Sequence, residues 1–148
     1  MKIVVNRCYG GFSLSGAAII RFGELKGFTP YFYNLYQSDS RGDMYRNVKC
    51  ARAPSLITGY YTVTKEYLGE KCDGKIVHAA EKIRDRDIPR NDPDLVRVVE
   101  ELGDAANGAF AELNVIEIPD GVNWVIAEYD GMERVEEVHR SWPAQEGE

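Results

Sequence analysis

KIVVNRCYGGFSLSGAAIIRFGELKG, residues 2–27, reads as strand, glycine loop and helix in succession. Ile3, Val4 and Val5 are β-branched and continuous, the pattern of a strand covered on both faces and hence interior to its sheet. Asn6, Arg7, Cys8 and Tyr9 carry the chain to Gly10-Gly11, where the backbone can turn sharply and approach a ligand closely. Ser15 is a natural helix N-cap, and Ala18, Ile19, Phe22 and Leu25 then fall on one side at helical spacing. Gly27 stands where a left-handed residue closes the helix.

Outward from this unit, composition bounds the class. The chain has 148 residues, 44% of them hydrophobic and 28% charged, which is enough for one globular domain spanning 1–148 with a core of its own. Its apolar runs are far short of a membrane span and its first residues lack a signal-peptide pattern, so a cytoplasmic protein with no membrane partner is expected. Cys8, Cys50 and Cys72 are odd in number and lack metal-type spacing, which favours free thiols. A net charge of −6 argues against a nucleic-acid polymer as partner. Locally, however, Arg41, Arg46, Lys49 and Arg52 face only Asp43, a cationic stretch on an acidic protein.

Residues 28–36 are dense in aromatics (Phe28, Tyr31, Phe32, Tyr33, Tyr36), expected as a strand from near Pro30 whose rings fill sheet faces. Gln37–Asp43 reads as a loop, in which the Arg-Gly-Asp at 41–43 is accidental. Met44–Cys50 and Leu56–Thr64 read as strands, Glu66–Lys75 as a surface crossing, and Ile76–Ile83 leaves helix and strand both open. An aromatic sheet face at 28–36 and 56–63 offers itself to a symmetric partner, so a homo-oligomer is expected.

The second principal helix is expected over Pro93–Ala106. Asp92 is its N-cap, Pro93 has the φ of a first helical residue, and Asp94 suits the positive dipole end. Leu95, Val98, Val99, Leu102, Ala105 and Ala106 then form one face and Gly108 ends it. The polar run 85–91 before it reads as a connecting loop. Leu113–Ile118, Asn123–Tyr129 and Met132–Arg140 follow as a C-terminal β-meander. Asp130-Gly131 supplies a two-residue type I′ turn and Pro119-Asp120-Gly121 the earlier one. That register sets Ile126 opposite Val135 and Glu128 opposite Glu133; like charges so placed require either solvent or a cation. The fold expected is α+β: two principal helices against a mostly antiparallel sheet.

Three segments, MKIVVNRCYGGFSLS (1–15), RDIPRNDPDLVRVVEELGDAANG (86–108) and IEIPDGVNWVIAEYDGMERVEEVHRSW (116–142), resemble a group of small phage and prophage proteins of unassigned function. These share the strand, Gly-Gly-Phe and Leu-Ser opening and a terminal His-Arg-Thr/Ser-Trp. The resemblance implies a phage accessory protein, acting in the host cytoplasm on host defence or metabolism. It implies no ligand and no catalytic residue.

The residues themselves point to a small anionic ligand, phosphorylated and nucleotide-like. Gly10, Gly11, Phe12, Ser13 and Ser15 bring bare N–H groups, a hydroxyl and a helix N-terminus to one place. Arg7, or Arg46 and Arg52 from the cationic stretch, would complement the charge, and Tyr9 or Phe12 could stack on a base. The plainer alternative stands slightly ahead: the glycines let the helix pack on the sheet, and Phe12 fills the core. Hydrolase, zinc-protease, P-loop and dinucleotide signatures are all missing, and no cofactor or metal is expected. An enzyme would have to use Cys8 with His78 or His139, or a Glu128, Glu133 and His139 group. A third alternative is a protein-interaction module without a small ligand.

Overall fold

The β-branched opening forms β1 (Lys2–Asn6), all but its first residue buried, in a computed structural model that describes residues 1–49 and 62–138. The fold is α+β, and every strand pairing described is antiparallel. Helix α1 (Gly16–Lys26) begins at Ser15, whose side chain accepts from the Ala18 N–H, and ends at Gly27 with φ 87°. No helix among the described residues is long and apolar enough to cross a membrane.

β2 (Tyr31–Asp39) and β3 (Gly42–Val48) form a hairpin through Ser40-Arg41, so most of the polar stretch expected as a loop is strand. Asp39 makes this possible by accepting from the Arg41 N–H at 2.8 Å, while Gly42 takes a φ of 121°. β4 (Thr62–Thr64) pairs with β2 and β5 (Lys71–Asp73) with β3, completing a four-stranded sheet in the order β4-β2-β3-β5. The expected strand at 56–64 is thus described only from Thr62 on. The expected surface crossing at 66–75 holds β5 and the start of α2 (Gly74–Ala79), which Asp73 caps through the Lys75 N–H. Beyond α2 the chain returns to sheet geometry, with Thr64 bridged to Lys82 and the Ile83 N–H bonded to the Val63 carbonyl.

α3 (Pro93–Leu102) has the expected cap, Asp92 accepting from Asp94 and Leu95 N–H. It stops four residues early: Gly103 adopts φ 55° and ψ −129°, and 103–106 tighten into a 3-10 turn. A second 3-10 turn occupies Asp85–Asp87 in the connecting loop.

β6 (Leu113–Glu117) departs from the expected meander, pairing with β1 from Lys2↔Glu117 to Asn6↔Leu113. β7 (Trp124–Tyr129) and β8 (Met132–Glu137) form a separate hairpin with Ile126↔Val135 and Glu128↔Glu133, as the Asp130-Gly131 turn demands. β1 therefore has one strand neighbour, not two. Its other edge is closed by the Arg90 carbonyl, which takes the Val4 N–H at 2.9 Å, and by the Glu133 carboxylate, which takes the Asn6 N–H at 2.8 Å.

The larger core lies between α1, α3, β1 and the near end of the four-stranded sheet, with Val4, Phe12, Phe22, Phe32, Leu95 and Val98 at its centre. A smaller one joins Tyr33, Tyr45, Cys72 and Val77. Inside it the Tyr33 hydroxyl donates to the Gly69 carbonyl and accepts from the Leu68 N–H, so its burial leaves nothing unpaired. Most of the aromatic stretch is thereby used up in packing: Phe32 and Tyr33 are buried and Tyr31 lies against Tyr67. Residues 56–61 of the expected aromatic face lie outside the described residues.

Candidate functional site

The glycine loop serves two purposes, and packing is the first. A Cβ on Gly10 would land on the carbonyl oxygen of Phe110, and one on Gly108 would land on the Ser13 hydroxyl, so both glycines allow the 8–14 and 106–111 segments to touch. The Gly108 N–H donates to the Ser13 carbonyl at 3.0 Å across the same seam. Gly11 differs: it has open space around it and a φ of 89°, which only glycine adopts without strain. The β7–β8 turn closes over this loop, because a Cβ on Gly131 would strike the Tyr9 carbonyl and the Gly11 nitrogen.

Asn6 knits these segments together. Fully buried, it donates to the Cys8 and Gly131 carbonyls at 2.7 and 2.8 Å and accepts from the Glu112 N–H at 2.8 Å. The Cys8 thiol donates to the Phe110 carbonyl at 2.8 Å. Phe12 is buried, and the Arg90 guanidinium lies flat on its ring at 3.5 Å. Arg90 in turn holds Glu133 through two N–H groups, at 2.5 and 2.8 Å. The Glu128/Glu133 opposition is thus met on one side by this cation and on the other by solvent, to which Glu128 is exposed.

The second purpose is a cavity of about 680 Å³ on the outer side of the loop. Gly10, Phe12, Ser13, Leu14 and Gly16 form one wall, Phe32, Thr62 and Val63 the floor, 82–87 the opposite wall, and Gly108–Phe110 the rim. Ser15 lies behind this wall with its hydroxyl committed, donating to the Ala105 carbonyl at 2.6 Å and accepting from the Ala18 N–H at 3.1 Å. That leaves the Gly16 and Ala17 N–H groups without an acceptor among the described residues, at the positive end of α1.

Charge comes to the cavity from an unexpected quarter. Arg7 is engaged on the surface with Glu112, Tyr9 is exposed, and Arg46 sits on the four-stranded sheet over the Tyr36 ring at 4.9 Å, away from the glycine loop. Arg52, His139 and Cys50 lie outside the described residues. The cations lining the cavity are Lys82, Arg84 and Arg86, accompanied by Asp85 and Asp87. Lys82 donates to the His78 and Ala80 carbonyls and so closes the end of α2, and Asp85 accepts the Leu14 N–H at 3.1 Å. Arg84 and Arg86 form no ion pair among the described residues. Arg84 falls between the unassigned 76–83 stretch and the 85–91 run read as a connector, and Arg86 lies within that run; the signal was the alternation of arginine and aspartate in a stretch that has no helical or strand period.

Among the described residues the alternative catalytic groups do not come together, and those that need His139 lie partly outside them. Both oxygens of Glu133 are taken by Arg90, while Glu128 points into solvent. His78 stands edge-on to Tyr45 on α2, and Cys72, a free thiol like Cys8, is held above its usual range by burial and then by Asp73. No three metal-type ligands gather among the described residues. No protein-family model matches the chain, and neither a curated protein nor a solved structure matches it.

Proposed function

We propose that the chain binds a small phosphorylated, nucleotide-like ligand in the cavity between the glycine loop and residues 82–87, without catalysis. The observation that carries this reading is the meeting of Arg84 and Arg86, which form no ion pair among the described residues, with the start of α1 around one cavity of about 680 Å³. That volume suits a mononucleotide or dinucleotide. Phosphate oxygens take the Arg84 and Arg86 guanidinium groups and the Gly16 N–H at the positive end of α1, donors whose charge suits an anion. Phe110, half exposed at the rim, offers a face for a base, and Asp87 an acceptor for ribose hydroxyls. The likeness of 1–15, 86–108 and 116–142 to phage and prophage proteins supports a role in the host cytoplasm, where sequestering a nucleotide defence signal benefits the phage.

The purified chain is incubated with a mixture of nucleoside phosphates and cyclic nucleotides, washed, and heated to release what it holds, with mass spectrometry as readout. Intact ligand returned supports a binder, and altered ligand an enzyme. Nothing returned favours an interaction module. Arg84→Glu combined with Arg86→Glu alters two exposed side chains and abolishes recovery while leaving the melting temperature unchanged. Equal recovery from this variant and wild type refutes the site.

A further inference from the structure

Among the described residues, β7 is an open edge of a kind that folded proteins seldom leave unguarded. Among the elements it packs appreciably only on β8, and its six residues, WVIAEY, contain no lysine, proline, glycine or bulge to discourage another strand. Three other edges are protected, whereas the outer edge of β6 is held, among the described residues, only at Leu113, whose N–H donates to the Asn107 side chain at 2.8 Å. β1 is closed by Arg90 and Glu133, β4 by the chain at 81–83, and β5 is three residues long with Lys71 in it.

The hairpin register says which groups of β7 are available. The turn at Asp130-Gly131 makes Tyr129↔Met132 its closing pair, and the Val138 N–H donates to the Asn123 carbonyl at the far end. Bonding to β8 therefore falls on Asn123, Val125, Ala127 and Tyr129, and the N–H and C=O groups of Trp124, Ile126 and Glu128 point away from it. No described residue bonds to those outward groups.

We infer that β7 pairs with β7 of a second copy of this chain about a two-fold axis at Ile126. Antiparallel pairing of the outward groups has one centred register. Ile126 faces its own counterpart, Trp124 faces Glu128 of the second copy, and Val125 faces Ala127. About six backbone hydrogen bonds form. The register is self-complementary in charge, since no Glu128 meets its like, and Glu133, Glu136 and Glu137 stay one strand further out. Trp124 and Ile126 of both copies gather on one face of the joined sheet, and half-exposed Val125 joins its neighbour on the other.

Sedimentation of the full chain from micromolar to millimolar concentration gives twice the single-chain mass of 16.7 kDa. Glu128→Pro removes an outward N–H without breaking a β8 bond, so it halves that mass with an unchanged far-UV spectrum and melting temperature. Hydrogen exchange on the wild type supplies an independent reading: the Ile126 and Glu128 amides are protected at high concentration and lose protection on dilution. A single-chain mass throughout overturns the inference. So does a dimer that Glu128→Pro leaves intact, or one in which the Ile126 amide exchanges freely.

Discussion

Replacing Glu133 by alanine tests what ties the β7–β8 hairpin to the rest of the fold. Its carboxylate takes two N–H groups of Arg90 and the N–H of buried Asn6, with only 6% of its side chain exposed against 14% for Arg90. Truncation leaves the guanidinium buried on the Phe12 ring with no counter-charge, and the Asn6 N–H with no acceptor. Removing one partner of a buried pair costs about 3–5 kcal/mol. At roughly 2–4 °C per kcal/mol for a chain of this size, the melting temperature falls by roughly 6–20 °C. Glu100→Ala is the internal control, because Lys2 and Glu100 are each about half exposed and water screens such a pair, so its loss is small. Urea unfolding followed by far-UV circular dichroism gives both values. The double variant Arg90→Met with Glu133→Leu should recover most of the loss, since it removes both charges together. A Glu133→Ala loss no larger than that of Glu100→Ala refutes the reasoning.

Three further outcomes follow from particular groups. Burial pulls the Asp92 carboxyl up, but the Lys26 ammonium and the N–H groups of Asp94 and Leu95 outweigh it, so the group lies below its usual range. Arg21, then Arg97, hold Glu101 down to about 2. Lowered carboxyl values mean stability that is complete above the unfolded-state values near pH 4 and lost as pH falls toward 2, a loss that an acid titration of ellipticity shows weakened in Asp92→Asn. Gly10→Ala, whose methyl would meet the Phe110 carbonyl, lowers the melting temperature by more than Gly27→Ala, which has only its left-handed backbone against it. In a Cys50→Ser background a thiol reagent labels partly exposed Cys8 in the native protein, and reaches the buried Cys72 only after denaturation.

The elements legible in the sequence were those whose signals agreed within a short stretch. Asp92-Pro93-Asp94 followed by Leu95, Val98 and Val99 specifies a helix by cap, φ, dipole and period together, and α3 forms there. Asp130-Gly131 sets the register of β7 and β8 to the residue. β6 was misassigned to a meander because its partner, β1, lies more than 100 residues away, and no local feature distinguishes that pairing from one with β7. β5 and α2, at three and six residues, are too short for either period to emerge. The cavity was half legible. The glycine wall announced itself, whereas Arg84 and Arg86 reach it only because 81–83 join the sheet edge and carry the following turn across the loop.

Glu128 and Glu133 are the same residue type, directly opposed on one ladder, with opposite fates. The like-charge conflict is resolved by committing Glu133 to Arg90 and β1, while Glu128 remains exposed at the outer edge. One side of the hairpin is thereby fastened and the other left open. The fastening also sets the glycine loop: Arg90 covers Phe12 on one side, Gly131 closes on Tyr9 and Gly11 on another, and Phe12 with Gly10 lines the cavity beyond. Loosening Glu133 should therefore be felt in two places, at the cavity wall and in the orientation of β7. A Glu133→Gln variant, which keeps the shape and loses the charge, should weaken both ligand recovery and self-association while Arg84→Glu with Arg86→Glu weakens only the first. If Glu133→Gln leaves both untouched in a protein it has measurably destabilised, the ion pair holds the fold together without positioning either surface.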